Sequence, residues 1–294
     1  MQDYIVKSTT IDGKFRAMAI NSTNLVREAT DNHQTSRIAS VVLGRALTST
    51  LLMANSILKG EEQLAVRING RGSIGNIVTE ADAQGGVRGY VTNKEIDSVF
   101  DQQKALDIPA VVGTNGTIQV TKVAPFSEPY FSQTKIATGE IGTDFIYYLA
   151  QSEQIPTALG VSVYMDDNNQ ISAAGGFIIQ TLPGTTEDDL QQIEKQLTDL
   201  PSIPSILLEN KTPENILEKI FGTNQIQHLE TQEIYLLTDG DKEYYAEALS
   251  SLPKEDIQMM IDEDKGAEVV SRFSNQKFYF SEEELIDILS NKEQ

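Results

Sequence analysis

The chain has 294 residues, 39% of them hydrophobic and 22% charged, with no cysteine, two histidines and a formal net charge of −20. That is room for one large domain plus one or two small ones in a folded chain. The missing cysteines exclude disulfides, thiolate zinc and thiol redox chemistry, and His33 and His228, far apart in sequence, argue against a histidine-based metal site.

Residues 4–9 and 15–20 read as strands turning at Asp12-Gly13. Ser22 is expected to cap a short helix through Ala29. A longer helix over 35–58 places Leu43, Leu47, Leu51, Ala54 and Leu58 at helical spacing, the pattern of a central core helix. For His33 and Arg45, near its start, the expected role is a satisfied polar contact. Three strand-like runs follow between 63 and 91. Gly70, Gly72 and Gly75 there spell G-x-G-x-x-G, but the loop leads into another strand rather than a helix, so backbone turns are preferred to a dinucleotide site. Residues 111–120 are a Gly-rich turn feeding a strand. Residues 138–156 read as a helix with Phe145, Tyr148 and Leu149 inward and Glu140 and Asp144 as ordinary exposed carboxylates, which leaves no case for an enzyme. A hairpin turning at 167–169 leads to a buried strand ended by Pro183-Gly184.

Beyond that boundary the character changes, and residues 185–231 show no convincing strand. Leu190, Ile193, Leu197 and Leu200 line one amphipathic helix. Thr212-Pro213-Glu214 starts another, bearing Ile216, Leu217, Ile220 and Phe221 and ending at Gly222. In 232–294, a short strand at 236–238 and a helix with Tyr244, Tyr245, Leu249 and Leu252 precede a helix begun by Pro253. Asp239, Asp241 and Glu243 lack the glycine and terminal glutamate of a calcium loop and read as solvated caps. Gly266 is expected to stop the helix before an aromatic hairpin turning at 274–276. Ser281 with Glu284 forms a capping box ahead of Leu285, Ile288 and Leu289.

The run GAEVVSRFSNQKFYF, from Gly266, resembles the C-terminal domain of the 33-kDa heat-shock protein family, redox-regulated holdase chaperones of bacteria. That resemblance implies one zinc held by a C-x-C pair and, about thirty residues on, a C-x-x-C pair. Here the four ligand positions are Thr238, Gly240, Ser271 and Ser274, so the family's zinc is expected to be absent. Ser271 and Ser274 are replacements a mutagenist would choose, but Thr238 and Gly240 are not, and natural divergence is the preferred account. The segments HQTSRIASVVLGRAL, 111–120, 138–156 and 173–184 extend the resemblance over the whole chain.

The implied fold is α+β: an N-terminal mixed sheet domain with a central core helix (1–184, substrate-binding), a helical linker (185–231) and a small hairpin–helix unit (232–294) resembling a zinc-less switch domain. The linker's apolar faces (Leu190, Ile193, Leu197, Ile216, Leu217, Ile220, Phe221) are expected to cover client-binding surface. A plain helical hairpin without a switching role fits the same residues. Tyr244, Tyr245, Phe273, Phe278 and Phe280 are candidates for a packed latch in place of the metal, supplemented by Tyr235 and Tyr279. The implied function is an ATP-independent holdase without cofactor or redox switch, its partners unfolded or partly folded clients, with a homodimer compatible.

The acid is concentrated late: 14 basic against 18 acidic side chains in 1–184, and 9 against 25 in 185–294. Such charge disfavours nucleic-acid partners. An adaptor binding one folded partner through the acidic C-terminal third is the alternative function. The opening residues lack the features of a secretion signal and no uncharged apolar run reaches about eighteen residues. The expected location is cytoplasmic, without a membrane partner.

Overall fold

Two strands open the chain, β1 (Tyr4–Thr10) and β2 (Phe15–Asn21), and Gly13 supplies the positive φ their turn requires. Helix α1 (Thr23–His33) follows. Ser22 occupies its N-cap position, but the side chain makes no cap; its hydroxyl is bonded to that of Thr48 at 2.8 Å. Helix α2 (Arg37–Ile57) is buried on nearly every face. Strands β3 (Gln63–Asn69), β4 (Ile77–Asp82) and β5 (Gly86–Val91) form a meander, followed by the short helix α3 (Ile108–Val112) and the hairpin β6 (Thr117–Val123) and β7 (Tyr130–Lys135). Helix α4 (Ile141–Tyr148) runs into a π-helical turn, Leu149–Glu153, before the long hairpin β8 (Thr157–Met165) and β9 (Ile171–Thr181). Then come α5 (Glu187–Thr198), α6 (Ile203–Leu208), α7 (Pro213–Phe221), β10 (Ile226–Glu233) and β11 (Tyr235–Leu236). The structure, a computed structural model, describes residues 2–209, 212–237 and 240–291. It separates into two units, Met1–Leu237 and Thr238–Gln294.

In the first unit the strands form a five-stranded sheet, β10-β1-β2-β9-β8, and a six-stranded sheet, β11-β5-β4-β3-β6-β7. Helix α2 lies in the core that both sheets share, with Leu43, Leu47, Leu51 and Leu52 fully buried among Ile20 and Ile178 of one sheet and Leu64, Val66 and Ile77 of the other. By length and composition α2 could cross a membrane, yet 94% of its apolar window is buried inside the protein. The five-stranded sheet is apolar on both faces. Ile5, Met18, Ile20 and Ile178 face α2, whereas Val6, Phe15, Ala17, Ala19, Phe177 and Ile179 belong to a second core beneath α5, α6 and α7. Adjacent residues pointing to opposite buried faces explain why β2 and β9 read as continuous apolar runs rather than alternating ones.

Several sequence readings change. Residues 185–231 do contain most of a strand: β10 pairs antiparallel with the edge of β1, from Tyr4↔Glu233 to Thr10↔Ile226. Its sequence, IQHLETQE, has one buried residue and no alternation, so nothing local marks it. Between the two expected helices lies a third, α6, begun by Ser202 with Pro204 in its first turn. The G-x-G-x-x-G glycines serve a close backbone approach. Cβ atoms at Gly70 or Gly72 would overlap the main chain of Val111–Gly113, to which Gly72 and Ile74 donate hydrogen bonds of 3.0 Å. Asp144 is fully buried rather than exposed, and its carboxylate accepts the amides of Ala137 and Thr138 (2.9 Å each) and Gly139 (3.1 Å).

The second unit contains α8 (Lys242–Ser250), α9 (Lys254–Met259) with a π-helical turn at Met260–Asp264, the hairpin β12 (Gly266–Val270) and β13 (Lys277–Ser281), and α10 (Glu282–Asn291). Lys265, at φ 55°, is the left-handed residue that ends the helical turn; Gly266 already begins the strand. The capping box of α10 forms as expected: the Ser281 amide donates to the Glu284 carboxylate (2.8 Å) and the Glu284 amide to the Ser281 hydroxyl (3.3 Å). Leu249, Ile257, Ile261, Phe278, Phe280 and Leu285 make its small core.

Candidate functional site: a covered sheet face and a C-terminal knuckle

The first candidate is the face of the five-stranded sheet turned away from α2. All seven residues expected on the linker's apolar faces reach it: Ile193, Ile216, Leu217, Ile220 and Phe221 are buried there, with Leu190 and Leu197 partly buried against the same core. Ile203, Ile206 and Leu207 of α6 complete the cover. The cover is uneven. Helix α5 buries only Ile193, worth about 1.5–3 kcal/mol, whereas α7 buries Ile216, Leu217, Ile220 and Phe221, together worth about 6–12 kcal/mol as an upper estimate. Helix α5 thus has fewer fully buried side chains than α7.

Polar contacts pin the cover at a few points. Thr186 caps α5 in a reciprocal box with Asp189, whose carboxylate also pairs with Lys14 at 2.6 Å. Lys14 first, with Thr186, holds the Asp189 carboxyl down to about 2. Tyr4 donates to Glu214 of α7 at 2.8 Å, and burial together with that carboxylate pushes its phenol up to about 12. His228 of β10 bonds to Ser8 of β1 through Nδ1 at 2.9 Å, and its Nε2 lies 4.0 Å from Glu218 of α7. These residues could be found only through the fold, since β1 and β10 are more than two hundred residues apart.

In the segment HQTSRIASVVLGRAL, His33 and Arg45 each find a polar partner, although the buried Arg45 Nε has no hydrogen-bond acceptor among the described residues. His33 Nε2 is 3.0 Å from the Gly89 carbonyl, and Arg45 pairs with Glu140 at 2.7 Å.

The second candidate is the C-terminal hairpin. Phe278 and Phe280 are buried, and the Tyr245 ring packs on Phe278 with centroids 4.6 Å apart. Tyr244 stands edge-on to Tyr245 at 5.2 Å but is largely exposed, and Lys242 Nζ lies 5.1 Å from the Phe280 centroid. Phe273 is only half-buried, in the turn between the strands, and Tyr235 and Tyr279 are exposed, so none of these three adds to the small core.

The residues at the implied ligand positions do not fit a zinc ion. Thr238 lies outside the described residues. Gly240 has no donor. The Ser271 hydroxyl accepts the amides of Phe273 and Ser274, each at 3.1 Å, and the Ser274 hydroxyl accepts that of Gln276 at 3.3 Å. Serine hydroxyls stay protonated at neutral pH and are poor ligands compared with thiolates. Among the described residues no three His, Cys, Asp or Glu side chains gather where they could hold a metal.

The family model described as Hsp33 protein matches residues 3–281, which takes in the sheet face, its cover and the knuckle. This chain belongs to the Hsp33 family. The 33 kDa chaperonin of Limosilactobacillus fermentum is 45% identical over 293 residues, covering 99% of this chain and 100% of that one. That of Lactiplantibacillus plantarum is 43% identical over 290 residues, covering 99% and 98%. Among solved structures, the crystal structure of the 33 kDa chaperonin (heat shock protein 33 homolog) of Thermotoga maritima matches with a TM-score of 0.91 at 33% identity, over 99% of both chains. The α+β architecture and the family read from the sequence are both borne out. This Hsp33 chain differs from the family frame in having no cysteine at all.

Proposed function

We propose that this Hsp33 chain is an ATP-independent holdase of the cytoplasm that binds unfolding proteins and keeps them from aggregating, without a zinc or thiol switch. The observation that carries the reading is the apolar face of the five-stranded sheet, lying under three short helices of which α5 buries a single side chain. Release of that cover exposes Phe15, Phe177 and Ile179 to apolar segments of a client. The functional division that follows is a substrate-binding core (1–184), a releasable cover (185–231) and a C-terminal lock (232–294). No step requires nucleotide, nucleic acid, a membrane or an enzyme activity. With no thiol, oxidant has no cysteine to act on, and heat is the trigger that fits a weakly held helix.

Light scattering of two unrelated unfolding clients tests this, at two temperatures, with and without peroxide and a thiol reductant. Suppression of both clients that rises with temperature and ignores peroxide is expected. Saturable binding of one folded protein without any suppression would instead make the chain an adaptor. A large, reductant-reversible gain on oxidation would refute the switchless reading.

A further inference from the structure

The implied ligand positions have acquired other uses. An ideal Cβ at residue 240 would overlap the Cβ, Cγ and Cδ1 atoms of Tyr244. Rotating the ring moves the outer atoms but leaves the Tyr244 Cβ in the way. Helix α8 holds Tyr244 in that place, because Asp241 accepts its amide at 2.9 Å as the N-cap. From there a run of ring contacts, Tyr244 to Tyr245 to Phe278, leads into the hairpin core. At the other pair of positions hydrogen bonds close the turn. Besides the two amides on the Ser271 hydroxyl, the Ser271 amide donates to Gln276 O at 2.9 Å and the Asn275 amide to Ser271 O at 3.0 Å. Ser271 itself is buried.

We infer that Tyr244 excludes a metal ligand from position 240, and that the Tyr244–Tyr245–Phe278 stack and the serine-closed turn have taken over what a metal would do in this unit. The loss of zinc is thus built into the packing, and restoring the cysteines alone leaves a site that Tyr244 weakens. This inference rests on the family frame and not on the holdase reading.

Zinc affinity, measured by chelator competition on the full chain carrying Thr238→Cys, Gly240→Cys, Ser271→Cys and Ser274→Cys, decides the first half. The comparison is the same chain with Tyr244→Ala added. Removing Tyr244 is expected to tighten zinc binding about 10–100-fold, the range by which groups around a metal site alter affinity. Equal affinity in the two chains, or no zinc in either, overturns the role given to Tyr244. The unaltered chain supplies a control that cannot fail by misfolding: hydrogen exchange of β12 and β13 is expected to be the same in chelator and in equimolar zinc, and slower exchange with zinc overturns the inference. For the turn, Ser271→Ala is expected to speed exchange at the Phe273 and Ser274 amides and Ser271→Thr to restore it. No change at those two amides overturns the role given to the serine.

Discussion

Replacing Phe278 with alanine removes the centre of the C-terminal core. Phe278 is buried in β13, packs against Tyr245 at 4.6 Å and is one of six residues in the buried cluster found among the described residues of this unit. Truncating a buried phenylalanine costs about 3–5 kcal/mol, and the lost ring pair adds about 0.5–1.5 kcal/mol. A unit the length of Thr238–Gln294 has a total stability of about 3–9 kcal/mol at the usual 0.05–0.15 kcal/mol per residue. The loss therefore equals most or all of what holds the unit folded. Phe273→Ala, half-buried in the turn, is expected to cost only about 1 kcal/mol. Hydrogen exchange at 25 °C measures both: Phe278→Ala should bring the β12 and β13 amides close to unprotected rates while α2 of the first unit exchanges as before. If Phe278→Ala leaves the hairpin protected, or Phe273→Ala is equally damaging, the aromatic core does not carry this unit. If the unit serves as the lock proposed above, Phe278→Ala also raises suppression of client aggregation at 25 °C.

Ile220→Ala in α7 is expected to cost about 2–5 kcal/mol and to raise aggregation suppression at low temperature, whereas the equally buried Leu51→Ala in α2 lowers the melting temperature without that gain; equal behaviour in the aggregation assay would refute the cover. Asp189 has its carboxyl depressed in the folded state, so its contribution is present above the ordinary value of about 3.9 and is lost as pH falls toward 2. Protection of the α5 amides, taken against the intrinsic exchange rate at each pH, should accordingly fall between pH 5 and pH 2.5, and less so in Asp189→Asn; an identical fall in the variant removes the Lys14 pair from the account. Asp144→Ala leaves the amides of Ala137, Thr138 and Gly139 without their acceptor, at about 1–3 kcal/mol for the buried Gly139 and less for the exposed Ala137 and Thr138, and calorimetry should show a lower melting temperature for the first unit. An unchanged melting temperature would mean those three bonds contribute nothing net.

Local order decided much of what could be read from the residues alone. The apolar spacing of Leu43, Leu47 and Leu51 marks α2, the Thr212-Pro213 start marks α7, and Ser281 with Glu284 marks α10, because caps and periodicity act within a few residues of where they are written. The frame around Gly266 identified the family, and the absence of cysteine removed thiol and thiolate chemistry outright. The seven apolar positions of α5 and α7 were legible for the same local reason, although which face of which sheet they cover was not.

The tertiary structure decided the rest. Strand β10 exists through its pairing with β1, at the other end of the first unit, and its polar sequence has no preference of its own strong enough to announce it. Asp144 looks like a surface carboxylate until three backbone amides from the preceding loop converge on it. Tyr244 reads as one more latch aromatic, and only the path of the chain past Gly240 puts it where a ligand's side chain would stand. In each case the deciding partner is set by where the folded chain passes, and helix periods, strand alternation and caps carry no information about groups brought together only by folding.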